Sequence, residues 1–336
     1  MVNESISIKN VLKSTEFTKS EKQMILKEKF KKLLFGTREK NGAIGQTVIY
    51  VLLISIGFVY LYPLLYMFIT SMMSLEDLLD SSTKWIPSNL YLKNYTDALM
   101  VMNYWESLVK NIIYALLPSI LQVAICSLTA YGFARFKFRG KGILMVIMIL
   151  TFVIPPQILM MPTYLLYSDI GLLGSLNAFT IPALLGQGFK SAIMILIFYQ
   201  FYVPIPNALI EAAQIDGANH FKIYWSIGIR SAVPAIIVVF IFSFVFYWNE
   251  TYLTTLYLGN SGAGAKSNFT TLLLQLSKFE ESYKSIYPTT ANDANKLNEA
   301  IRFAGTMLSI APLLLLSGVL QKYFVESIDS TGITGE

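Results

Sequence analysis

The sequence predicts an all-α, polytopic membrane protein with six transmembrane helices, and three observations carry that prediction. Of 336 residues, 54% are hydrophobic and only 14% charged, with a mean hydropathy of +0.53; a soluble globule carries about 25% charged residues. Six stretches are apolar over the roughly 20 residues a helix needs to cross the hydrocarbon core: about 46–71, 111–132, 143–165, 178–203, 233–257 and 301–321. The cations are unevenly placed, with 17 Lys or Arg in the residues before the first span, in loops 133–142 and 204–232 and in the tail, against seven in the three alternate loops.

Each span is expected to be helical, because lipid offers an unpaired backbone N–H or C=O no partner. By the positive-inside rule, both termini and loops 133–142 and 204–232 face the cytoplasm. The run RFKFRGK, Arg135 to Lys141, is the sharpest topological marker, with four cations between spans two and three. The net charge of +5 therefore encodes topology and not a nucleic-acid surface.

Taken in order, residues 1–45 form a basic cytoplasmic region rather than a signal peptide, because its apolar run starts too late and continues too long. Within it, Met24, Ile25, Phe30, Leu33 and Leu34 stand among five lysines. That pattern suits either a basic helix on anionic headgroups or a solvated tail. Residues 46–325 form the transmembrane domain, and 326–336 a cytoplasmic tail. Pro155, Pro156 and Pro162 predict a kink in span three. The extracytoplasmic loop 258–300 is either a contact surface or an insertion. The one cysteine, Cys126, lies in an apolar stretch and offers neither a disulfide nor a metal site.

Loop 204–232 carries EAAQIDGANHFKIYWSIGIRSAVPA, a polar, helix-prone run between two apolar spans. Pro204 and Pro206 end span four, Asn207 to Ile215 are good helix formers, and Gly217 can take a left-handed turn. Asn219 can cap a second helix, along one face of which Phe221, Tyr224, Trp225 and Gly228 are expected to recur. Ala212 and Ala213 leave the first helix with little bulk, so that another protein could approach closely. The alternative is an ordinary connector packed on its own chain.

This stretch resembles the signature loop of ABC importer permease subunits, Glu-Ala-Ala, three residues, Gly, nine residues, Ile-x-Leu-Pro. Glu211, Ala212, Ala213, Gly217 and Ile227 match in register; Ile229 replaces leucine, Arg230 stands in place of proline, and Pro234 follows. The resemblance runs from about residue 46 to the end through WIPSNLYLKNY, TAYGFARFKFRGKG, IPPQ, GLLGSLNAF, WNE and the closing QKYFVESIDSTGITGE. It is nearest to the maltose-type carbohydrate branch.

The resemblance implies a cytoplasmic EAA-type coupling-helix loop, with Glu211, Ala212, Ala213, Asp216, Gly217 and Ala218 docking into a groove on an ATPase. It also implies the partners: a second homologous permease, two cytoplasmic ABC ATPases, an extracytoplasmic solute-binding protein and an oligosaccharide substrate. The implied setting is a bacterial cell membrane. No cofactor is expected on this chain; ATP and Mg belong to the partner ATPase.

Other chemistries are poorly supported. GNSGAGAKS at 259–267 resembles a phosphate-binding loop, but Ala265 separates Gly264 from Lys266 and the topology puts it outside. The one histidine, His220, lies in the signature loop, so no Ser/His/Asp set can be built without it. An ion-coupled secondary transporter is the rival reading, but inverted repeats and paired intramembrane acids are not apparent.

Lys190, in GQGFKSA, falls about 18 Å into span four at 1.5 Å per residue, near the membrane middle. It either faces a translocation path, binding sugar hydroxyls or a carboxylate, or pairs with a partner subunit, or marks a break near Gly186 and Gly188. A carboxylate partner would make the substrate an acidic, uronate-containing glycan. Phe246, Trp248, Asn249 and Glu250 in span five are further candidates for the substrate path, since sugars stack on aromatic faces, although such aromatics also serve as core or lipid-facing residues.

Overall fold

The structure is a computed structural model that describes residues 42–80, 85–259, 269–288 and 297–332, with isolated positions Lys27, Lys31, Leu34 and Gly36 before them. The proposed amphipathic N-terminal segment, residues 81–84, the glycine-rich stretch after Gly259, residues 289–296 and the last four residues lie outside that description. The chain divides into two compact units, Met1–Met67 and Phe68–Glu336.

Regular structure among the described residues is helical. Helix α1 (Ala43–Thr70) is long and apolar enough to span a membrane, and so are α4 (Tyr104–Arg135) and the Glu299–Val319 part of α15 (Glu299–Gly332). Between them run α2 (Leu75–Leu79), α3 (Lys93–Val101), α5 (Lys141–Val153), α6 (Pro156–Asp169), α7 (Asn177–Leu184), α8 (Ser191–Tyr202) and α9 (Asn207–Ile215). There follow α10 (His220–Ser231), α11 (Val233–Asn249), α12 (Tyr252–Leu258), α13 (Leu272–Ser277) and α14 (Phe279–Ile286).

Three of the six apolar stretches are interrupted rather than continuous. The stretch 143–165 is α5 and α6, bent by 96°. Ile154 and Pro155 are extended there, because a proline ring excludes the helical region for the residue before it. The stretch 178–203 is α7 and α8, parted by a loop in which Gly186 and Lys190 both have positive φ, +75° and +53°. The stretch 233–257 is α11 and α12, parted at Glu250 and Thr251. Apolar composition reports depth in lipid and is blind to such breaks. They persist only where protein groups satisfy the freed backbone.

Within Phe68–Glu336, α4 is the central post, packed against α7, α8 and α11. One apolar cluster gathers around one end of it, including Tyr114, Ala115, Phe179, Phe244, Tyr247, Trp248 and Ile301. A second cluster, including Cys126, Ala130, Tyr131, Phe198, Tyr202 and Val239, surrounds the other end. In lipid such packing is held by close van der Waals contact and buried polar bonds rather than by water exclusion. Small residues on α4 and α11 permit it: Ala115, Ala130 and Ala235 are fully buried. Helices α5 and α6 bury no side chain within the chain.

Candidate functional site

Two regions carry the sequence-predicted residues. The first is a cavity of about 480 Å³ at the meeting of two helix breaks. Its wall includes Phe189 and Lys190 from the α7–α8 break, Asn249, Glu250, Tyr252 and Leu253 around the α11–α12 break, Phe246 one turn earlier, and Pro156, Gln157 and Met160 from the start of α6. A side chamber of about 220 Å³ continues it past Lys190 and Phe189 toward Tyr167 and Tyr257.

The cavity is apolar-walled with a few polar groups, which suits a ligand with both hydroxyls and apolar ring faces. The ammonium of Lys190 lies 4.5 Å from the centroid of the Phe246 ring, a cation–π arrangement. Glu250 turns its carboxylate back to accept the Leu253 backbone N–H at 2.9 Å, which starts α12 after the break. Gln157 and Asn249 add amides that can donate and accept together.

Of the residues singled out in the sequence, Lys190, Phe246, Asn249 and Glu250 therefore come together. Trp248 does not: it is 3% exposed and stacked into the apolar cluster against Phe244, with ring centroids 5.6 Å apart. The helical period accounts for this, since positions 246, 249 and 250 share one face and 248 lies nearly opposite. Gln157, Phe189 and Tyr252 were not anticipated; the polar Gln157 after two prolines was the available signal.

The second region is the α9–α10 pair. Pro204 and Pro206 precede a bend of 77° between α8 and α9, and Pro206 is extended. Gly217 takes φ +78°, its N–H bonding the Gln214 carbonyl at 3.0 Å. The Asn219 side chain caps α10 by accepting the Lys222 N–H at 2.8 Å. Glu211, Ala212, Asp216 and Gly217 are exposed, with Ala213 and Ala218 half-buried.

The expectation of one shared face on α10 needs correction. Tyr224 and Gly228 are buried, whereas Phe221 and Trp225 are exposed and meet edge-on at 6.2 Å. Residues 224–228 form a π-turn, and Gly228 packs against Tyr131, where a Cβ would lie 3.2 Å from the ring. The 221/225 and 224/228 pairs are thus adjacent stripes, and only the second faces the protein.

That inner stripe is fastened to α4. The Ser127 hydroxyl bonds the hydroxyls of Tyr202, at 2.6 Å, and Tyr224, at 3.0 Å, and the Tyr131 ring meets both tyrosines edge-on. At the end of α4 the Arg135 guanidinium donates to the Ile205 carbonyl and to Asn207 Oδ1, and Phe136 meets the His220 ring at 5.2 Å. Both short helices are therefore tied to α4, the helix that α7, α8 and α11 also pack against.

Interrupted apolar helices lining a chamber, packed with α4, to which a polar helical elbow is fastened, suit a permease. Residues 122–330 match the family described as binding-protein-dependent transport system inner membrane component, and the chain belongs to that family, the permease subunits of ABC importers. It is 28% identical over 300 residues to the osmoprotective compounds uptake permease protein GgtD of Synechocystis sp., covering 87% of this chain and 94% of that one. It is 26% identical to the polygalacturonan/rhamnogalacturonan transport system permease protein YtcP of Bacillus subtilis, covering 83% and 94%. The fold is also that of a chain in the crystal structure of a bacterial ABC transporter involved in the import of the acidic polysaccharide alginate, with a TM-score of 0.68, 23% identity, and coverage of 86% and 98%.

Proposed function

We propose that this chain is one transmembrane subunit of an ATP-driven importer of oligosaccharides, and that the cavity around Lys190 is its share of the translocation path. The observation that carries this reading is the convergence of Lys190, Phe246, Asn249, Glu250 and Gln157 on one chamber at membrane-helix breaks. Sugars need hydroxyl partners and apolar ring faces at once, and this wall offers both.

The α9–α10 elbow is the coupling element in this reading. Glu211, Ala212, Ala213, Asp216, Gly217 and Ala218 present its polar surface to an ATPase, and the exposed Phe221 and Trp225 add apolar contact area. ATP and Mg are held by that partner, so this chain converts nucleotide-driven closure into a change of helix arrangement. A second homologous permease completes the path, and a solute-binding protein delivers the sugar. Both termini and the elbow face the cytoplasm of a bacterial cell, as the cation bias favours. Residues 1–45, 46–325 and 326–336 act as basic tail, permease domain and C-terminal tail.

An acidic, uronate-containing oligosaccharide is the substrate class favoured by the chamber's cation, and by relatives named for polygalacturonan and alginate. The test is uptake into proteoliposomes holding the assembled complex, with a galacturonate trisaccharide against a neutral trisaccharide. Uptake driven by ATP and reduced by Lys190→Met supports the proposal. Purification as a lone chain whose transport ignores ATP would overturn it in favour of an ion-coupled carrier.

A further inference from the structure

Between the two apolar clusters lies a polar layer centred on Gln122, which is fully buried in the middle of α4. Its amide nitrogen donates to the Phe189 carbonyl at 2.6 Å and to the Ser191 hydroxyl at 3.2 Å. Its amide oxygen accepts the Ser243 hydroxyl at 3.0 Å, from α11. Ser191 in turn donates to the Gly188 carbonyl at 3.0 Å. One side chain thus joins α4, α11 and the α7–α8 break.

The bond to the Phe189 carbonyl has a particular consequence. φ of Lys190, the rotation about its N–Cα bond, sets how the Phe189–Lys190 peptide plane is turned relative to the rest of Lys190, and it is +53°. A non-glycine residue there is disfavoured unless its surroundings fix it. A carbonyl left unpaired away from water is costly, and the orientation seen here is the one that meets the Gln122 amide. The break also fits closely around this amide: a Cβ on Gly188 would stand 2.7 Å from Gln122 Oε1 and 2.7 Å from the Tyr247 hydroxyl.

We infer that Gln122 is a positioning residue of the cavity: by fixing the Phe189 carbonyl it holds Lys190 in the left-handed conformation that delivers its ammonium to the chamber. The inference rests on the reading of that chamber as the translocation path, but it can fail separately. Gln122 does not line the chamber. It acts through the backbone of the break.

The experiment uses the assembled transporter with Cys126→Ala, which removes the chain's one cysteine. Single cysteines are placed by Lys190→Cys and, on the far side of the chamber, by Asn249→Cys. Each is labelled with methanethiosulfonate ethylsulfonate, with and without Gln122→Leu. The expected result is a change of about tenfold in labelling rate at position 190 and less than about twofold at 249, the scale of losing a buried hydrogen bond. No change at 190, or equal changes at both positions, would overturn the inference, since a general loosening of the bundle moves both. Should Gln122→Leu fail to assemble, Ser243→Ala removes the donor to the amide oxygen and must shift position 190 in the same direction. Normal oligogalacturonate uptake by Lys190→Met would instead remove the translocation reading while leaving the labelling result intact.

Discussion

The Lys190 ammonium stands over the Phe246 ring, 4.5 Å from its centroid, with the two residues drawn from different broken spans. The contact brings the two spans together on one wall of the chamber. Phe246→Leu removes the ring quadrupole and keeps bulk, which costs roughly 0.5–2 kcal/mol of this contact. The expected outcome is an uptake KM several-fold higher with assembly unchanged, read in proteoliposomes.

Gly217 has φ +78°, so Gly217→Ala costs roughly 1 kcal/mol and Gly217→Pro is incompatible with the backbone and removes the N–H that meets Gln214. Gly217→Pro is expected to lower the number of substrates imported per ATP while the protein still reaches the membrane. Glu211→Lys is expected to do the same by reversing an exposed charge on α9. An unchanged ratio in both variants refutes the coupling role.

Gly188→Ala places a methyl within 2.7 Å of Gln122 Oε1 and of the Tyr247 hydroxyl. Such overpacking costs roughly 1–3 kcal/mol. A lower unfolding temperature in detergent is the expected result, whereas Gly142→Ala, whose Cβ would meet nothing within 4 Å, serves as the neutral control.

Asp77 closes a capping box with Ser74 at the start of α2, and Ser88 N–H also reaches its carboxylate at 3.4 Å. Hydrogen bonds from Ser88 first, and also from Ser74, hold its carboxyl below the usual carboxylate range. The fold therefore favours the ionised form. That stabilisation is complete above the unfolded-state pKa of about 3.9 and disappears as pH falls through the lower folded value. Proteolysis of the Leu75–Ser88 region is expected to quicken on acidification in the wild type, with Asp77→Asn already susceptible at neutral pH.

Much of the fold was legible, because the signals were strong and local. Six apolar stretches, a cation bias and the punctuation around Asn207–Ile215, Gly217 and Asn219 are set by lipid solvation, proline geometry and capping, none of which needs a tertiary partner. The chamber residues were legible only in part. Lys190 stood out because a charge in a span is costly, and Glu250 because it follows the dense aromatics of span five. Phe246 and Trp248 looked alike as composition, and only their helical phase separates chamber wall from core. Gln122 gave a signal of the same kind as Lys190, a polar side chain amid SILQVAIC. Its partners, at positions 189, 191 and 243, are too distant in sequence to be paired by inspection.

The amino-acid sequence by itself determined that this chain is a membrane protein, where its apolar stretches fall, and that a bent pair of short helices follows the fourth of them. Those outcomes follow from transfer free energy and backbone sterics summed over neighbouring residues. Only the tertiary structure decided that span five parts at Glu250 and Thr251, and that this break and the one at Lys190 line one chamber. A break in lipid survives only if distant side chains satisfy its carbonyls, and which side chains can reach is a property of packing in three dimensions.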